Sequence, residues 1–207
     1  MFNPRNFKAP FITKETCWLE ADAFRERYWP TNKAPVDVLK IAEHKLDLEI
    51  ETLAGLREDC DADALLSLDR TALTVDLTEY MEDRFYNKLR FSVAHELGHY
   101  VLHTQVYDGV DLKTPREWIE FVLALPDDQY GFLEYHANEF AGRLLVPKDQ
   151  LIEEFEKAIT KAETAGFPRE KLNDALIGSV AHEVAKAFEV SPDVIERRLY
   201  KGGIWPF

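Results

Sequence analysis

His95, Glu96 and His99 stand in the order His-Glu-Leu-Gly-His, and their spacing matters as much as their chemistry. On a helix, positions i and i+4 lie on one face about one turn apart. Two imidazoles can therefore reach a single ion, with the glutamate beside them. Imidazole and carboxylate suit a tetrahedral zinc ion that keeps one position for water. Zinc lowers the pKa of such a water to about 7, and Glu96 is positioned to take its proton and later deliver it to a leaving amine. The chemistry expected is hydrolysis of a peptide bond. Manganese or iron also suits these ligands, because affinity order often decides occupancy.

A third ligand has to come from elsewhere. One class of zinc peptidase would need glycine at position 102 and histidine at position 105, where the sequence has Leu102 and Gln105. A glutamate on a second helix is the other common solution, and Glu134-Tyr135-His136-Ala137-Asn138 offers one. Glu134 and Asn138 share a helical face, and Ala137, Ala141 and Gly142 are small enough to let two helices approach. Asn138 could accept a hydrogen bond from the far nitrogen of a ligand histidine and fix its tautomer. Glu139 and His136 compete with Glu134 for the ion. They project about 100° away from Asn138 and about 200° away from Glu134, respectively.

These residues need elements to hold them. Leu89, Val93, Leu97 and Val101 recur every four residues, predicting a largely buried helix over 87–103. A second helix is expected from about Phe132 to Val146, stopped by Pro147. Thr114-Pro115 reads as a cap and first turn of a helix ending near Pro126. Before the motif, a short helix over 21–29 and another after Pro35 lead into strand-like runs at 46–50, 64–68 and 73–77. The fold class is α+β, with a small antiparallel sheet ahead of the chemistry. Further helices are expected at 148–163, 170–188 and 192–200. The domain reading is an N-terminal extension over 1–34, a core over 35–150 and a C-terminal helical subdomain and tail over 151–207.

Composition bounds the function. At 207 residues, 46% of them hydrophobic, the chain can bury a core without disulfides. Cys17 and Cys60 lack partners at metal spacing and are expected to be free thiols. A net charge of −13 disfavours a broad phosphate-binding surface and suits a basic protein partner. No run approaches the roughly 20 apolar residues of a membrane span. The start Met1-Phe2-Asn3-Pro4 lacks an apolar signal core, so a cytoplasmic location is expected.

The two stretches Arg90-Phe91-Ser92-Val93-Ala94-His95-Glu96-Leu97-Gly98-His99 and Glu134-Tyr135-His136-Ala137-Asn138-Glu139-Phe140-Ala141 resemble the ImmA/IrrE family of metallopeptidases, as does the Leu144-Leu145-Val146-Pro147 helix end. Pro35-Val36-Asp37 and Phe188-Glu189-Val190-Ser191 extend the likeness over about 35–200. The resemblance implies a zincin-like core, zinc held by His95, His99 and Glu134, and Glu96 as general base. It also implies an intracellular endopeptidase that cleaves a separate helix-turn-helix repressor, while the charge and the lack of a long apolar run give the expectation of no direct contact to nucleic acid or membrane. Ser92 replaces the family's usual Thr, and residues 104–131 form a long insert suited to a lid or a substrate-selecting element.

Several weaker signals remain. His103 lies about 12 Å along the helix axis from His95, too far to share its ion, and is expected to complement the helix C-terminal dipole. Tyr130, Tyr135, His136, Arg143 and His182 are all candidates to stabilise an oxyanion. His182 is expected to be a core or interface histidine. Residues 181–201 have helix-turn-helix character, with Arg197, Arg198 and Lys201 on the second helix, though neighbouring acids favour a helical subdomain. The apolar tail, 204–207, is expected to dock on its own domain.

Overall fold

The computed structural model describes residues 4–31, 33–60, 62–110, 115–169 and 174–206. The cap expected at Thr114, the start of the helix expected at 170 and the end of the tail at Phe207 lie outside them. So does the side chain of Cys60. Cys17 is a buried free thiol.

Helix α1 spans Lys14–Tyr28, capped by Thr13, whose hydroxyl accepts the Thr16 N–H at 3.2 Å. It begins about two turns earlier than expected. Lys14, Glu15 and Glu20 interrupt its apolar stripe, and Trp18 instead donates its indole N–H to Glu139 at 2.9 Å. Helix α2 (Val38–Lys45) starts after the Asp37 cap. Strand β1 (Glu49–Leu53), helix α3 (Leu56–Cys60), strand β2 (Ala64–Leu66) and strand β3 (Ala72–Asp76) follow.

The sheet corrects the expectation. Its order is β1-β3-β2; β1 runs parallel to β3, and only β2 is antiparallel. Period-two alternation marks a strand but carries no information about its neighbour. Here the segment between β1 and β3 is long enough to make the crossover a parallel pair requires. Strand β3 is therefore central. The edges are β1 and β2.

Asp76 ends β3 and caps helix α4 (Leu77–Met81), accepting the Thr78 N–H at 2.9 Å. Helix α5 (Tyr86–Leu102) then crosses the domain, followed by α6 (Thr104–Asp108), α7 (Pro115–Leu123) and α8 (Asp127–Leu145). Helices α9 (Lys148–Thr164), α10 (Asp174–Phe188) and α11 (Pro192–Lys201) complete the chain. Buried Arg90 fastens α5 to both ends of the sequence, donating to the carbonyls of Val36 at 2.6 Å and Phe188 at 2.7 Å. One apolar cluster draws on Ala21 and Phe24, on Val93 and Leu97, and on Ile159, Phe188 and Trp205. Trp205 thus docks the tail on its own domain, as expected.

Gly98 sets how closely α5 and α8 approach. A Cβ there would lie 2.9 Å from the Ala137 Cα and 3.1 Å from its carbonyl oxygen. Gly98→Ala should therefore destabilise the fold by about 1–3 kcal/mol, the usual cost of overpacking, despite alanine's better helix propensity. Urea unfolding reads this directly, and a midpoint at or above wild type would refute the close-contact argument.

Candidate metal centre

His95 and His99, one turn apart on α5, point their Nε2 atoms at a common point 3.1 Å from each other. Glu134 reaches the same point from α8, with one carboxylate oxygen 3.2 Å from His95 Nε2 and the other 3.3 Å from His99 Nε2. His95, His99 and Glu134 each offer a donor atom within 4.8 Å of the others, an arrangement on two helices that could hold one metal ion. A small divalent ion with bonds of about 2.0–2.1 Å in tetrahedral geometry separates its ligands by about 3.3–3.4 Å, so the donor set fits with little movement. Burial favours a neutral Glu134, but hydrogen bonds from both imidazoles outweigh it and hold the carboxyl well below its ordinary range. Burial likewise opposes a charge on His95, yet the hydrogen bond to Glu134 and the Glu96 and Glu134 carboxylates raise its pKa overall.

Glu96 sits beside these ligands, buried, and accepts the Leu66 N–H at 2.8 Å. The edge strand of the sheet thereby fixes its carboxylate. Burial pushes the Glu96 pKa up, partly offset by His99 and His95. A raised carboxyl is suited to exchanging protons near neutrality. Asn138 lies where the helical face puts it, with Oδ1 3.3 Å from His95 Nδ1. Its amide nitrogen is engaged with the Glu134 carbonyl at 2.8 Å, which leaves the oxygen to face the imidazole.

A second support was not legible in the sequence. His99 Nδ1 is 2.9 Å from His103 Nδ1, and His103 Nε2 is 3.3 Å from His136 Nδ1. With Nε2 of His99 left as the donor atom an ion would need, its Nδ1 carries hydrogen and donates to His103. His103 must then donate through Nε2 to His136, whose remaining N–H goes to the Ile12 carbonyl. His103 corrects an expectation. Burial, aided by its histidine neighbours, pushes its pKa down to about 2, so it orients a ligand as a neutral ring and adds no charge to the helix end. His103→Phe, which removes the acceptor, should weaken metal affinity about 10–100-fold. His103→Gln should recover part of that, because an amide can still accept and donate. Chelator competition measures both, and an unchanged Phe variant would exclude the orienting role.

The rival candidates are placed elsewhere. Glu139 is buried against Trp18 and Lys201, and Arg143 chelates Asp22 at 2.5–2.9 Å. Tyr135 packs under the Lys201 ammonium, and His136 closes the imidazole chain. His182 is exposed on α10 rather than in the core, because the apolar face of that helix is taken by Val180, Val184 and Phe188. Of the basic residues at the helix-turn-helix-like end, Arg198 is buried over the Trp18 ring and Lys201 pairs with Glu139.

Tyr130 does border the centre, as part of a cavity of about 300 Å³ lined also by His95, Glu96, His99 and Glu134. Tyr107 lines it too, a residue with no motif to announce it. The long insert thus contributes walls. A family model described as Peptidase_M78, IrrE N-terminal-like domain, matches residues 87–200, more than half of the chain. The chain belongs to this family. The Peptidase_M78 match opens in the first turn of α5 and closes in α11, so it contains both helices of the centre, while α1 and the sheet precede it. Membership and the His-His-Glu group together point to a metallopeptidase. A search of curated proteins gives no match to this Peptidase_M78 chain. Among the described residues, no helix is long and apolar enough to cross a membrane.

Proposed function

We propose that this protein is a zinc-dependent endopeptidase acting in the cytoplasm, and that its substrate is a separate helix-turn-helix repressor. The observation that carries the reading is the convergence of His95, His99 and Glu134 on one point with a buried carboxylate, Glu96, beside them. The near-tetrahedral ligand spacing supports zinc. Family membership supports peptide hydrolysis, and the resemblance of the two central motifs supports the repressor.

When bound, the ion supplies Lewis-acid chemistry, acidifying a water and polarising a carbonyl oxygen. The chain's own residues do the rest. Glu96, held by the Leu66 N–H, takes the proton from the attacking water and passes it to the departing amine nitrogen as the C–N bond breaks. Asn138 keeps His95 in register, and His103 does so for His99.

Strand β2 is suited to holding the peptide. Asp63 and Ser67 make ladder bonds to β3, so by antiparallel alternation Leu65 also faces β3. Ala64 and Leu66 then face the free edge, where the Leu66 N–H meets Glu96 and the other backbone groups can pair with an extended chain.

Two measurements test the reading. Metal analysis of protein purified without added metal should find near one zinc per chain. Incubation of that protein with the repressors encoded beside its gene should give one discrete cut. Zinc binding with every such repressor intact would remove the repressor from the proposal, and absence of metal even after zinc is offered would remove the peptidase.

A further inference from the structure

Phe91 lines two cavities. One holds the metal centre. The other, of about 530 Å³, lies between the start of α5 and the turn that joins α10 to α11. The chain carries a net charge of −13, yet four cations line this second cavity, Arg84, Lys88, Lys186 and Arg197, against one acid, Asp193. Their availability differs. Lys88 is held by Asp63 at 2.7 Å and by buried Glu79, so it belongs to the fold. Arg84 pairs with Glu82 and Lys186 with Glu183, each at 2.6 Å but well exposed, and such pairs exchange partners at little cost. Glu183 keeps Lys161, also at 2.6 Å, when Lys186 turns away. Arg197 is exposed and, among the described residues, makes no ion pair. Between the cations the wall is apolar, with Phe91, Ala185, Val190 and Val194. The base of the cavity is fixed. The Asn87 amide donates to the Val190 carbonyl at 3.4 Å and Arg90 donates to that of Phe188 at 2.7 Å, tying the start of α5 to the α10–α11 turn.

We propose that this second cavity binds a small phosphate-bearing ligand of the nucleotide class. Arg197 offers a planar guanidinium, the group best matched to two phosphate oxygens, and Arg84 and Lys186 are free to turn to the same anion. The Ser191 side chain makes no capping bond on α11, which leaves its hydroxyl as a further donor. The base of the ligand lies against Phe91, Val190 and Val194. A base presents a π-face to an aromatic ring, a contact worth about 10-fold or more in affinity. The volume fits, since small-molecule sites occupy about 300–1,000 Å³. Inorganic phosphate alone would leave the apolar wall wet, and a nucleoside alone would leave the cations unpaired. Only the combination uses both. Glu183, Asp193 and Glu196 flank the cations on α10 and α11, which disfavours a long polyanion and leaves room for a compact one. The cavity shares Phe91 with the metal centre but none of His95, Glu96, His99 and Glu134, so binding there needs neither metal nor turnover.

The test is calorimetry on the full chain with three probes, AMP, inorganic phosphate and adenosine, at constant ionic strength. AMP should bind at least about 10-fold more tightly than either fragment, because it alone engages both the cations and the apolar wall. Arg197→Ala, a change at an exposed position that spares the fold, should weaken AMP at least about 10-fold, the usual weight of a charge-assisted bond. Lys157→Ala removes a cation on α9 outside the cavity and should leave the affinity unchanged, which separates a local contact from a loss of overall positive charge. The Glu134→Ala variant should bind AMP as wild type does. Each contrary result overturns the site. Absence of AMP binding at millimolar concentration would do so, as would equal losses in Arg197→Ala and Lys157→Ala. AMP bound no more tightly than inorganic phosphate would remove the nucleotide class. Binding lost in Glu134→Ala would place AMP on the metal centre instead.

Discussion

Glu96→Gln should lower kcat for peptide hydrolysis by about 10²–10⁴-fold, the usual contribution of a positioned general base, while metal content stays near one ion per chain. The amide keeps the shape of the carboxylate, and its oxygen can still accept the Leu66 N–H. What it cannot do is take a proton. The pH profile offers a second check. Glu96 acts as a base only when ionised, and burial raises its pKa above the ordinary 4.5. The acid limb of kcat/KM should therefore fall at a pH above 4.5, with activity lost as pH drops through the raised value and regained above it. Full activity in the Gln variant would end the case for Glu96 as base. Lost activity together with lost metal would mean the substitution had disturbed the ligands.

Glu134→Ala should abolish stoichiometric metal binding and the thermal stabilisation that metal confers. Removing one of three ligands leaves two imidazoles on a single helix, a set with no tetrahedral closure from the second helix. Bound metal stabilises a fold by mass action, so wild type should gain Tm on zinc addition and the variant should gain little. The metal-free proteins should differ in a pH-dependent way. Glu134, with its pKa depressed, contributes stability above its unfolded value of 4.5 and loses it as pH falls through the folded value. His95, with its pKa raised, contributes below its unfolded value of 6.5 and loses it as pH rises through the folded value. The metal-free difference between wild type and Glu134→Ala should thus be largest in mildly acidic solution and shrink above neutrality. The zinc-loaded difference should move the other way, because ligation needs deprotonated imidazole. Metal retained in the alanine variant would transfer the third-ligand role to another side chain, and with it the geometry argued here.

Both predictions concern residues on helices that the sequence marked out, and the fold brings His95, His99 and Glu134 together. The His-Glu-x-x-His spacing, the shared face of Glu134 and Asn138, and the helices near 87–103 and 132–146 follow from helix periodicity, which acts over a few residues. The observed helices, Tyr86–Leu102 and Asp127–Leu145, differ from the expected ones mainly in the longer start of α8, where Asp127 and Asp128 extend the first turn without an apolar stripe to signal it. Small residues at positions 137, 141 and 142 also foretold a close helix pair, and the contact that needs one sets Ala137 against Gly98, which the sequence alone does not single out.

Tertiary structure decided everything that depends on which element meets which. The sheet is mixed because the chain runs from β1 through α3 to β2 at the far edge and then returns as β3 between them, and alternation within a strand cannot encode that order. Glu139 and Glu134 are the same type of group on the same helix. One faces the ion site, and the other faces Trp18 and Lys201 from the two ends of the chain. His103 reads as a dipole partner until the fold brings His136 and the Ile12 carbonyl within reach, and burial then makes it a neutral link. Local sequence determined the chemistry this protein can attempt, because ligand spacing is a property of one helix. Long-range packing alone determined how those ligands are oriented and what surrounds them, because hydrogen-bond partners and cavity walls come from segments remote in sequence.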